Sequence, residues 1–180
     1  MIIPIPYGPE RKLVWLWCLL AVLALAVAGL FAILLVLSRA PITGENAPWP
    51  ENFFQKGLVT HVALSFAVWF LAVYGAINSA LILPKNQQRK ISLGILLDRA
   101  ALGLSTAGTV ALLIPTFQDY GEPTLNNYIP VIINPIYYFG LILLASGIFL
   151  SAARVLINVY RLRITTAGEN PILMASGLIY

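Results

Sequence analysis

"LVWLWCLLAVLALAVAGLFAILLVL" (13–37) runs for 25 residues without a charge. A helix needs roughly 20 apolar residues to cross a hydrocarbon layer about 30 Å thick, so this stretch predicts a membrane-crossing helix. It is too long for the roughly 7–15-residue apolar core of a signal peptide, and "LSRAP" (37–41) is a poor cleavage site. The segment is therefore expected to stay in the chain.

Three similar runs follow at about 57–83, 91–115 and 135–157. The whole chain of 180 residues is 59% hydrophobic and 10% charged, with a mean hydropathy of +0.86. Soluble domains carry about a quarter charged residues; here there is too little polar surface to cover a water-soluble globule. Spanning strands are excluded outside closed barrels, because backbone groups in lipid must be satisfied internally. The expected fold class is all-α, a polytopic membrane helix bundle forming a single membrane domain over 1–180. After "RLRITTAGENP" the apolar "ILMASGLIY" (172–180) reads as the start of a fifth span or as a surface helix, since nine residues rise only about 13.5 Å.

Charge sets the expected orientation. With the N-terminus inside, Arg11, Lys12, Lys85, Arg89, Lys90, Arg99, Arg154, Arg161 and Arg163 lie on the inner side, and only Arg39 and Lys56 lie outside. That asymmetry follows the positive-inside rule. It implies a cytoplasmic N-terminus; the membrane expected is a bacterial inner membrane. Trp49, Phe53 and Phe54 then suit the outer interface, and Tyr137, Tyr138 and Phe139 read as an anchor there. Asn134–Pro135 reads as a cap and first helical residue of the fourth span.

Several functions are excluded. The basic residues form no stripe with interleaved aromatics, so nucleic acid is not a partner. No Ser/His/Asp set, phosphate loop or carboxylate pair is present. Cys18 is expected to be a buried, apolar-packed thiol. Asp98 reads as the cap of a helix preceded by an interfacial stretch (91–97), with a proton-entry role as the alternative, and Arg99 reads as a snorkelling side chain. The pairs Gly103/Ala107 and Ser105/Thr109 read as helix-packing surfaces.

The one histidine, His61, stands about one turn into the second span. On an α-helix it shares a face with Gly57, Ser65, Ala72, Ala76 and Ser79. Such a small-residue trough suits close helix packing or a planar macrocycle with His61 as axial ligand. Three readings stay open on pattern alone: an imidazole hydrogen-bonded to a neighbouring helix, a metal or haem ligand, and a proton relay. A lone histidine completes neither a bis-histidine haem nor a zinc or copper cage.

The order of these features resembles the first four helices of haem–copper oxidase subunit I, in its cbb-type or nitric-oxide-reductase-like branch. A long first span is followed by a proline-rich outer loop ending in "FFQKGLVTH" (53–61), then by the span-two histidine and "LILP" (81–84). "GEPTLNNYIPVIINPIYYFGL" (121–141) is similar to the family's approach to its fourth span. The resemblance covers nearly the whole chain. It implies that His61 is an axial ligand of a low-spin haem, b-type, with Gly57, Ser65 and Ala72 facing the ring and Arg39 and Lys56 near its propionates. The partners it implies are the lipid bilayer, the remaining helices or subunits of an oxidase, and an outer electron donor such as a c-type cytochrome. The family's other histidines are absent here, so copper is not bound by this segment and it cannot be active alone. The rival expectation is a tetraspan accessory or assembly subunit without haem.

Overall fold

The structure, a computed structural model, describes residues 9–41, 48–81, 93–125 and 130–169. It is mostly helical. Four of its helical stretches, Arg11–Arg39, Phe53–Ala80, Gly94–Phe117 and Pro135–Ile157, are long and apolar enough to cross a membrane by length and composition. Span two thus begins four residues earlier than its apolar run, at Phe53. The segment 172–180, expected as part of a fifth span, lies outside the described residues.

Helix α1 (Pro9–Arg39) carries the first of these candidate spans. The second is built in three pieces: α2 (Phe53–Val62), a π-helical turn (Ala63–Val68) and α3 (Trp69–Leu81). Helix α4 (Leu93–Leu113) ends in a 3-10 turn (Ile114–Phe117), and α5 (Pro135–Glu169) carries the fourth span. A two-stranded antiparallel hairpin, β1 (Glu122–Thr124) with β2 (Val131–Ile133), joins α4 to α5, Pro123 lying opposite Ile132. The all-α expectation misses this hairpin. Its signal was the β-branched run Val131–Ile132–Ile133, long enough for a ladder beside a bundle end but not for a span.

Glycine brings α4 and α5 together. A Cβ on Gly108 would sit 2.6 Å from the Leu144 nitrogen and 2.7 Å from the Gly140 oxygen. Backbone cannot yield at that distance, so only glycine permits this approach. Of the expected packing pairs, Ser105/Thr109 is buried at this interface, whereas Gly103 has nothing within 4 Å and Ala107 faces outward. Against α1, the Trp17 indole covers Gly75, whose Cβ would lie 2.7 Å from the ring. Trp17, Leu20, Ala21, Ala72, Ala76 and Ala101 form one buried cluster, and Phe31, Val59, Leu64, Leu112, Ile132 and Tyr137 belong to a second nearer the hairpin.

Other expectations need correcting. Tyr137 is not an interfacial anchor but a core residue, 1% exposed, while Tyr138 and Phe139 do face outward. Cys18 is exposed on the outer face of α1 rather than buried. Asn134 does cap α5: its Oδ1 accepts from the Ile136 N–H at 2.8 Å, with Pro135 as first helical residue.

Candidate functional site around His61

His61 is the penultimate residue of α2, directly before the π turn. Its Nδ1 lies 2.8 Å from the carbonyl oxygen of Ala28 on α1. A carbonyl only accepts, so Nδ1 carries the proton and donates. In a neutral ring the lone pair then stands on Nε2. No described residue bonds Nε2, and His61 is half-buried. Small side chains allow this geometry: Ala24 and Ala28 are buried where α1 passes His61.

Of the residues expected to share one face with His61, Gly57, Ala72, Ala76 and Ser79 are buried together, while Ser65, in the π turn, is half-buried like His61 itself. Gly57 and Ala72, expected to face a haem, instead face α1. A Cβ on Gly57 would meet Leu35 Cδ2 at 2.9 Å, and Ala72 is 1% exposed in the Trp17 cluster. Ser65 is half-buried within the π turn.

The cations expected near haem propionates are engaged elsewhere. Lys56 is fully buried, its Nζ donating to the carbonyls of Gln118 at 2.7 Å and Tyr120 at 3.3 Å. The Arg39 guanidinium stacks over the Phe54 ring at 3.9 Å. Beside Lys56, Thr60 and Thr116 share a hydroxyl hydrogen bond of 2.5 Å that ties α2 to the end of the third span. Phe53 continues the layer, stacked with Trp49 at 4.8 Å between centroids and tilted against Phe117 at 6.2 Å.

At the other end of the bundle, Asp98 is 2% exposed and paired with Arg154 of α5. Helix α4 is already continuous from Leu93, so Asp98 is an interior residue and not a cap. Arg99 is exposed, as a snorkelling side chain would be. The pairing was legible in principle, because two opposite charges stand at the same end of adjacent antiparallel spans. Counting Arg154 only as a loop charge hid it.

Fit to a haem divides along these lines. An imidazole with Nδ1–H held by a backbone carbonyl and Nε2 left open is the arrangement that metal-ligating histidines use. The small-residue cradle does not fit, since α1 side chains fill it. Among the described residues no group of three or more His, Cys, Asp or Glu is placed to hold a metal ion.

No protein-family model matches the chain. It is similar to the uncharacterized protein RP382 of Rickettsia prowazekii, 28% identical over 156 residues that cover 78% of this chain and 30% of that protein. It is also similar to an uncharacterized protein of Aquifex aeolicus, 28% identical over 141 residues, 78% of this chain and 33% of that protein. The chain thus spans about a third of the length of the curated relatives it matches. No solved structure matches.

Proposed function

We propose that these four helices cross a bacterial inner membrane with the N-terminus inside, and that His61 would hold the iron of a low-spin, b-type haem through Nε2. The unit then belongs to an electron-transferring subunit resembling haem–copper oxidase subunit I. The observation that carries this reading is the hydrogen bond from His61 Nδ1 to the Ala28 carbonyl. It fixes the tautomer and ring orientation and raises the basicity of Nε2, the atom that would bind iron.

A haem held there supplies one-electron transfer, with its potential tuned by ligand and burial. His61 would hold and orient the group, its Nδ1 side set against buried Ala28 of α1. A second ligand would have to come from other helices or subunits, since His61 is the one histidine in this sequence. An outer donor such as a c-type cytochrome and an acceptor centre on other helices complete the proposed path. The test is the optical spectrum and haem content of the purified membrane protein. The wild type should show a low-spin haem that His61→Ala abolishes; full haem content in the variant defeats the assignment.

A second reading has its own support. Trp17 on Gly75 and Leu35 on Gly57 make the small-residue stripe a helix-packing surface, as expected of a tetraspan accessory or assembly subunit without haem. In that case His61 is a hydrogen-bonded packing residue, and purified protein carries no haem.

A further inference from the structure

Buried polar atoms collect at the Arg154 end of the bundle. The Trp17 indole lies against Gly75 and packs with Ala76 and Ala101. One turn from Ala76 stands Ser79, and one turn from Ala101 stands Ser105. Ser105 lies against Gly147, where any added Cβ would overlap its hydroxyl. One turn beyond Gly147, Ser151 Oγ accepts from Asn78 Nδ2 at 3.3 Å, and Arg154, three residues on, reaches Asp98. Residues from all four spans therefore meet within about two helical turns, some 11 Å of rise.

Three of these side chains lack a partner among the described residues. Trp17 Nε1, Ser79 Oγ and Ser105 Oγ are buried and make no hydrogen bond, in residues 0%, 2% and 0% exposed. A buried helical hydroxyl has an easy local remedy in the carbonyl one turn back. Thr109 takes it, bonding Ser105 O at 2.8 Å, and so does the exposed Thr106 with Leu102 O at 2.8 Å. Ser79 and Ser105 do not. Leaving such groups unpaired costs about the full desolvation of each, and native structures fill the gap with ordered water or an ion.

The chemistry of the donors selects the occupant. An indole N–H only donates, so it cannot coordinate a cation, and Arg154 repels one. Asp98 likewise disfavours an anion. Water both donates and accepts, and a buried water takes about three such bonds. We propose that Trp17, Ser79 and Ser105 enclose ordered water beside the Asp98–Arg154 pair, a hydrated polar site joining all four spans inside the membrane. It rests on the membrane placement of the helices and is independent of haem at His61.

Hydroxyl-radical labelling from synchrotron-irradiated ¹⁸O-water tests it, using the protein in lipid nanodiscs and reading oxidation by mass spectrometry. Trp17 is fully buried, while Trp69 lies 36% exposed on the outer surface of the second span. With water at the site, Trp17 incorporates ¹⁸O several-fold faster than lipid-facing Trp69, and Ser79→Ala with Ser105→Ala lowers the Trp17 rate several-fold. Trp17 labelling no faster than Trp69 in the wild type overturns the proposal without any variant. An elevated Trp17 rate unchanged by the double substitution overturns the assignment to these hydroxyls.

Discussion

Asp98→Ala leaves the Arg154 guanidinium in a nearly closed setting, with the side chains of the pair 3% and 8% exposed. Removing one partner from a buried ion pair costs about 3–5 kcal/mol, because the remaining charge loses its counter-ion in a setting that water does not reach. At 1.4 kcal/mol per decade this is roughly a 10²–10³·⁵-fold shift toward the unfolded state. Replacing both members by apolar residues of similar volume removes that penalty, and such replacements are often neutral or stabilising. Asp98→Leu with Arg154→Met should therefore recover most of what either substitution loses alone. The assay is a double-mutant cycle on reversible unfolding in bicelles, followed by steric trapping. A coupling energy of at least about 2 kcal/mol is expected. Additivity within about 0.5 kcal/mol, the range found for sites that do not touch, would refute the claim that this pair locks α4 to α5.

Gly108→Ala and Gly103→Ala should part ways. The first forces backbone apart where a Cβ would lie 2.6 Å from Leu144 and costs about 1–3 kcal/mol as overpacking does; the second meets open space and gains about 0.5–1 kcal/mol of helix propensity. Equal thermal stabilities for the two variants would contradict the α4–α5 packing. Lys56→Met removes two charged hydrogen bonds to the carbonyls that precede the hairpin. A loss of about 1.5–3 kcal/mol each is the upper range for such bonds, and amide exchange over 118–125 should accelerate; unchanged exchange would show that Lys56 does not hold this loop.

The four long apolar helices were legible because length and apolarity alone mark them, and Asn134–Pro135 was legible because a cap is a local device. What escaped depends on pairings that sequence does not encode locally. The acceptor for His61 is the backbone of Ala28, 33 positions away, and any residue offers a carbonyl. The small-residue face of Gly57, Ser65 and Ala72 suited helix packing as well as a macrocycle, and composition does not choose between them; Leu35 against Gly57 and Trp17 in the Ala72 cluster show packing by α1 at those two positions. Lys56 shows a similar gap. Its charge marks one end of a span, yet its use is settled by where the third span ends, at Gln118 and Tyr120. Asp98 needed only its partner on α5 to change from helix cap to interior ion pair.

Imidazole rescue of His61→Gly addresses the proposed ligand most directly. Low-temperature electron paramagnetic resonance of the ferric wild-type protein should give a low-spin haem signal, lost in the variant. Added imidazole would enter the vacated space, donate to the Ala28 carbonyl as the native ring does, and restore the signal. A variant that keeps the wild-type signal before imidazole is added, or a wild-type protein with no haem signal at all, would contradict the account and leave His61 a packing residue between the first two spans.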